Sequence, residues 1–175
     1  MKKVIVFGGS TSSTSINKEL ATYVASQLLD VNTEIIDMRM QTAPLYSVDL
    51  EKEGFPDNMI QLQKLFESAD GFVISLAEHN GSYASAYKNT IDWLSRIKRD
   101  FFGDKPMILI SSSPGARGGA TVLESATTYY PRLGAKIVSS FPFPDFYDNY
   151  KDGEVVNKEL QNKINHAVKL FQKQL

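Results

Sequence analysis

Short runs that are apolar on both faces, separated by longer segments of helical period, constrain this chain more than any other feature. Val4-Ile5-Val6-Phe7, Phe72-Val73-Ile74 and Met107-Ile108-Leu109-Ile110 are continuous apolar runs. Runs of this kind read as strands buried on both sides in a parallel sheet. Thr33 to Ile36 and Lys136 to Phe141 are weaker strands of the same kind. Between them, Ile16, Leu20, Tyr23, Val24 and Leu28 recur at helical spacing, as do Met59, Leu62, Phe66 and Ala69, and Tyr87, Ile91 and Leu94. Gly118 to Leu133 is a less regular helix, and Leu160, Ile164, Ala167, Val168 and Phe171 line one face of a closing helix. Five strands alternating with five helices predict an open, doubly wound α/β sheet with helices on both faces. At 175 residues the chain fits one core, so 1–175 is expected to be a single domain.

Composition then removes whole classes of function. Nineteen Lys and Arg against 20 Asp and Glu leave a net charge of -1, with no basic excess for nucleic acid or an anionic membrane. There is no cysteine, so disulfides, thiol nucleophiles and thiolate-held metals are excluded. His79 and His166 are the only histidines, and no metal site is expected. Only four apolar residues follow Lys3 before Gly8, too few for a signal-peptide core, and no run reaches membrane-spanning length. The expectation is a cytoplasmic protein.

Open parallel sheets bind ligands beyond the carboxyl ends of their strands, where strand order reverses. Three loops lie there. In the first, Gly8-Gly9 is read as a sharp turn, and the six hydroxyl residues Ser10 to Ser15 then run into a helix that starts at Ile16-Asn17. Hydroxyls with the free amides of a helix N-terminus make an anion site, whereas a helix cap alone explains one serine. No Gly-Lys-Ser/Thr follows, and the dinucleotide Gly-x-Gly-x-x-Gly spacing is missing. The second loop, Ala77-Glu78-His79-Asn80-Gly81-Ser82-Tyr83-Ala84-Ser85-Ala86-Tyr87, continuing into Lys88 to Trp93, concentrates polar and aromatic groups where a planar ligand could lie; a polar surface loop with a capped helix is the alternative. The third, Ser111 to Ala120, contains Pro114, Gly115, Arg117, Gly118 and Gly119 and is longer than such connections usually are.

These motifs resemble the NADPH-dependent FMN reductase family, relatives of the quinone, azo and chromate reductases. The family's Gly-Ser-x-Arg-x-x-Ser-x-Asn corresponds to Gly9-Ser10-Thr11-Ser12-Ser13-Thr14-Ser15-Ile16-Asn17. Its Pro-Glu-Tyr-Asn, leading into Lys-Asn-x-Ile-Asp-Trp, corresponds to Ala77-Glu78-His79-Asn80 and Lys88-Asn89-Thr90-Ile91-Asp92-Trp93. Its Ser-Pro-Gly-x-x-Gly-Gly corresponds to Ser113-Pro114-Gly115-Ala116-Arg117-Gly118-Gly119, and Ala43-Pro44-Leu45-Tyr46 resembles the loop after its second strand. The chain departs from the pattern where Ser12 replaces the arginine, Ala77 the proline and His79 the tyrosine, and where Ala84-Ser85 replaces a Pro-Gly pair often found between Asn80 and Lys88.

The resemblance implies a flavodoxin-like three-layer fold with a five-stranded parallel sheet in the order 2-1-3-4-5. It implies an oxidoreductase that takes a hydride from NADPH or NADH onto bound FMN and passes electrons to a small acceptor: a quinone, an azo or nitro compound, free flavin or a metal oxyanion. Ser10, Ser15, Ile16 and Asn17, with Ser12 as a weaker partner, would hold the FMN phosphate. Glu78, His79, Asn80 and Ser82 would line one edge of the flavin, and Ser113, Gly115, Gly118 and Gly119 would approach its other side. No catalytic side chain is required. Arg117 is read either as an electrostatic partner of flavin or donor, or as a solvated surface residue. A flavodoxin-like electron carrier or redox-sensing module, and an interaction domain without flavin, are the competing readings. A homodimer or homotetramer is expected, with Met38–Asp57 and the aromatic run Phe141 to Tyr147 as interface segments.

Overall fold

A computed structural model describes residues 1–175. The strands are β1 (Lys2–Gly9), β2 (Val31–Ile35), β3 (Gly71–His79), β4 (Ser82–Tyr83), β5 (Lys105–Ser112), β6 (Ala135–Phe143), β7 (Tyr150–Lys151) and β8 (Glu154–Val155). The helices are α1 (Ile16–Ser26), α2 (Val48–Glu53), α3 (Asp57–Glu67), α4 (Ser85–Ile97), α5 (Ala120–Tyr129), α6 (Phe146–Asn149) and α7 (Lys158–Gln172). The five long strands pair in parallel in the order β2-β1-β3-β5-β6, the flavodoxin-like arrangement expected. Short β4 folds back antiparallel on the end of β3, and β7–β8 is a separate hairpin.

The period of two along each strand feeds two cores. On β1, Ile5 and Phe7 face α3, α4 and α5, whereas Val4 and Val6 face α1 and α7. On β5, Met107 and Leu109 face the first layer, and Ile108 and Ile110 the second. Burial on both faces is why these strands read as unbroken apolar runs. No helix is long and apolar enough to cross a membrane.

Two expectations about long segments change. Met38–Asp57 is not irregular throughout: it contains α2 and is tied to α4, as described below. The aromatic run Phe141 to Tyr147 is not an apolar surface patch. Phe141, Phe143 and Phe146 are buried in the core beside α7, and only Tyr147 is exposed, at 64%. Strand alternation turns Phe141 and Phe143 to the same inner face.

Candidate functional site

The carboxyl ends of β1, β3 and β5 lie side by side, with Gly9 opposite Leu76 and Ala77 opposite Ser112. The loops leaving them enclose an open cleft of about 240 Å³. One wall is Ser10, Ser12, Thr14 and the start of α1; the others are Ala77 to His79, Ser112 to Pro114, and Tyr147.

Gly8 and Gly9 do not turn the chain, contrary to the sequence reading, because β1 runs through both. Gly8 instead permits close approach: a Cβ there would sit 2.2 Å from the amide nitrogen of Lys18. The first turn of α1 thereby packs on the end of β1 and aims its N-terminus at the cleft. The hydroxyl run then folds on itself. Ser10 Oγ accepts the amide of Ser12 at 3.1 Å, and Ser12 Oγ accepts the amide of Thr14 at 3.3 Å. Ser15 is the N-cap, its Oγ accepting the amide of Lys18 at 3.1 Å. Ser10 and Ser15 act as acceptors within the loop and keep their own protons to donate, while Ser12 Oγ also pairs with Thr14 Oγ1 at 3.4 Å, a pair that uses one hydroxyl proton and keeps the other. The amides of Ile16 and Asn17, in the first turn of α1, have no intrahelical partner. The result is a preorganised set of neutral donors suited to a phosphate.

Asn17 plays a different part from the one expected. Its side chain is 3% exposed and locks three elements together. Oδ1 accepts Ser75 Oγ at 2.6 Å and the amide of Ser112 at 3.0 Å, and Nδ2 donates to the carbonyl of Ser112 at 3.1 Å. Both acceptor positions are filled, so only the backbone amide of Asn17 is open to a ligand. Ser75 and Ser112 were not singled out from the sequence, since a serine inside an apolar strand gives no sign of what it faces.

The second loop is a tight hairpin. Asn80 (φ 51°) and Gly81 (φ 74°) form its two-residue turn, and His79 pairs with Ser82. Asn80 and Ser82 are therefore turn and strand residues outside the cleft, while Glu78 and His79 line it. The Glu78 side chain is turned to α5, where Oε2 accepts the amide of Val122 at 2.9 Å and caps that helix from a neighbouring strand. Glu78 can thus offer a ligand its backbone rather than a free carboxylate.

In the third loop, Ser111 and Ser112 belong to β5, and Ser112, Ser113 and Pro114 line the cleft. Gly118 (φ 57°) is demanded by the backbone of its own chain, since a Cβ would lie 2.7 Å from the Phe143 carbonyl carbon and from the Pro144 nitrogen. A Cβ on Gly119 would meet Ser111 at 3.1 Å, whereas one on Gly115 would meet nothing within 4 Å. Gly118 and Gly119 therefore serve packing rather than ligand approach. Arg117 is directed along α5, donating to Thr121 Oγ1 at 2.8 Å, and is not part of the cleft wall.

No cation is aimed into the cleft. Lys18 Nζ lies 3.0 Å from Asp37, and Arg39 forms a two-pronged pair with the same carboxylate. The guanidinium of Arg39 first, then Lys18, holds the Asp37 carboxyl well below the usual carboxylate range. On the other side of Gly9, the Tyr87 ring packs against the loop and its hydroxyl pairs with that of Tyr130 at 2.7 Å. Burial raises the pKa of both phenols, so they stay protonated at neutral pH.

The Lys88-to-Trp93 motif is a clamp, and Trp93, read as packing, is 1% exposed. Its indole N–H donates to the carbonyl of Pro44 at 2.8 Å, and Tyr46 meets its ring edge-on at 5.2 Å. Asn89 Oδ1 accepts the amide of Tyr46 at 2.8 Å, and Nδ2 donates to the carbonyls of Ala43 and Pro44. The two sequence elements that resembled the family far apart in the chain are thus partners in space.

The residues present fit an FMN phosphate, on the grounds of the free protons of Ser10 and Ser15, the one left on the Ser12–Thr14 pair, and the open helix amides. Comparison with known proteins identifies the family. Residues 2–148 match the family model described as NADPH-dependent FMN reductase. An uncharacterised protein of Mycoplasma pneumoniae is 30% identical over 146 residues, 81% of this chain and 86% of its own length. The quinone reductase of Escherichia coli is 42% identical over 78 residues, 44% of this chain and 42% of its own length. Among solved structures, a flavoenzyme NAD(P)H:(acceptor) oxidoreductase from Paracoccus denitrificans superposes with a TM-score of 0.77 at 25% identity, covering 99% of each chain.

Proposed function

The chain belongs to the NADPH-dependent FMN reductase family, and from that premise we propose that it is an NAD(P)H-dependent FMN enzyme that reduces small planar acceptors, quinones foremost. That it is a flavin oxidoreductase using FMN and a nicotinamide donor follows from the family; the acceptor and the site residues are the proposal. When bound, FMN supplies the hydride-accepting and electron-donating centre. The observation that carries the reading is the cluster of free hydroxyl protons on Ser10, on Ser15 and on the Ser12–Thr14 pair beside the first turn of α1.

In this reading those hydroxyls and the amides of Ile16 and Asn17 hold the phosphate. Asn17 and Glu78 position the loops through their buried bonds, and the backbone of Glu78 and His79, with Ser113, Pro114 and Gly115, borders the planar ring. Tyr147, missed in the sequence as a site residue, forms an exposed wall on which an acceptor could stack. In this reading the cofactor carries the chemistry and no side-chain nucleophile–base pair is required. Arg117 stays at the rim as a surface residue.

Subunit association belongs to the same proposal. Met40, Leu45 and Val48 are 73, 81 and 60% exposed on the segment that Asn89 and Trp93 fix, which supports a homodimer formed there; a monomeric mass by light scattering would oppose it. The test of function is the visible spectrum of the protein with FMN, followed by NADPH without oxygen and then a quinone. Bleaching of the flavin band by NADPH and its return with quinone are expected. A flavin that NADPH fails to bleach would favour the electron-carrier alternative, and no flavin binding would favour the interaction domain.

A further inference from the structure

The hydroxyl loop borders a second cavity on its far side. A groove of about 490 Å³ runs down the outer face of α1 and shares Thr14 and Ser15 with the first cleft. Lys18, Thr22 and Ser26 succeed one another along it at helical spacing, and Glu19 stands on its edge. Its floor is the pair Tyr23 and Tyr150, set edge to face at 5.5 Å, beside the β7–β8 hairpin.

We propose that this groove takes the adenylate of a flavin dinucleotide, so that the chain binds FAD about as tightly as FMN. The inference rests on the flavin reading and extends it. Two observations combine. First, the cradle has neutral donors only, its neighbouring cations Lys18 and Arg39 being paired with Asp37. A phosphate monoester carries about -1.5 to -2 at neutral pH, and each phosphate of a pyrophosphate diester carries one charge. A neutral cradle therefore discriminates little in favour of the monoester, whose second charge finds no partner. Second, a phosphate in the cradle that continues as a diester has its exit at Thr14 and Ser15, where the groove begins. There the second phosphate comes within reach of Lys18, which lines the groove and not the first cleft and would leave Asp37 to Arg39, and the base lies over the tyrosine floor.

Dissociation constants of FMN, FAD and riboflavin are measured by quenching of flavin fluorescence, on the wild type and on Thr22→Trp. Thr22 is in the groove wall and away from the first cleft. FAD is expected within about threefold of FMN, and Thr22→Trp is expected to weaken FAD by about tenfold, or 1.4 kcal/mol, with FMN moved less than about twofold. Ser26→Trp serves the same purpose if Thr22→Trp misfolds. A larger gap between FAD and FMN in the wild type, or variants that shift both flavins alike or neither, would overturn the proposal while leaving FMN binding intact. Absence of binding by every flavin would instead remove the reading on which it rests. The groove could also be used by the adenosine of the nicotinamide donor. With FMN bound, the KM for NADPH is expected to be unchanged in Thr22→Trp; a rise would assign the groove to the donor and overturn the proposal.

Discussion

The β1–α1 loop and the start of α4 are both dense in polar residues, and they use them in opposite ways. In the α4 clamp, Asn89 and Trp93 direct their side-chain hydrogen bonds to the backbone of residues 43–46. In the hydroxyl loop, Ser10, Ser12 and Ser15 each accept one backbone amide, and Ser10, Ser15 and the Ser12–Thr14 pair each keep an O–H for something outside the chain. Engaged groups fix architecture, and unengaged donors at a preorganised surface bind. A motif recognised in sequence can therefore be structural, as the clamp is, even when it is the most distinctive part of the family likeness.

The largest expected effect lies in the clamp. Trp93→Ala removes a buried indole and leaves the Pro44 carbonyl without its donor, at a cost of about 3–5 kcal/mol in denaturant unfolding. FMN affinity of the folded fraction should change by less than about threefold. A much larger loss of affinity at full folding would show that the clamp region also touches the flavin, and the contrast would break.

Asn17→Ala tests the residue that joins the two behaviours. It strands Ser75 Oγ and both backbone groups of Ser112 in a buried site, so a stability loss of about 2–3 kcal/mol is expected. FMN should weaken as well, because α1 loses its tie to β3 and β5. Unchanged stability with weakened FMN would make the Asn17 side chain a direct ligand, as the sequence alone implied.

Ser10→Ala should do the reverse of Trp93→Ala. Loss of a hydrogen bond to a charged phosphate is about 1.5–3 kcal/mol, so FMN should weaken by roughly 10- to 100-fold. Riboflavin, which has no phosphate, should be unaffected, and folding stability should stay within about 0.5 kcal/mol, as for other exposed sites. Ser12→Arg should tighten FMN and leave riboflavin alone. Equal effects on the two flavins would show that this loop does not hold the phosphate.

Much of this was legible in the sequence. The five long strands, their alternation with helices and the three loops follow from apolar runs and turn residues. The short elements were not, because two residues in β4 or β7 show no alternation, although Asn80-Gly81 and Asp152-Gly153 are hairpin dipeptides that could have marked them. The three loops read from the sequence do meet at one cleft, but where their side chains turn was not legible. Gly118 and Asn80 are invariably hard to assign by type alone, since a glycine or asparagine at positive φ serves a turn as readily as a ligand. The destination of Asn17 and Glu78 depends on partners 95 and 44 residues away, which no local pattern contains.

The smallest effect concerns Asp37, which keeps Lys18 and Arg39 away from the phosphate cradle. Its carboxyl is depressed in the folded protein, so the stability it contributes is present above the ordinary aspartate pKa and is lost as pH falls toward the folded value. Asp37→Asn should therefore flatten the acid limb of a thermal-stability profile below about pH 4, the ordinary aspartate range, and change little at pH 7 beyond the loss of two partly exposed ion pairs. At the same time the two cations are released beside α1. FMN should then bind slightly tighter, by about two- to threefold at low ionic strength, and the gain should fade as salt screens it. The gain should be smaller for riboflavin. If FMN instead weakens, Asp37 positions Lys18 or Arg39 for the phosphate, and the cradle is not made of neutral donors alone.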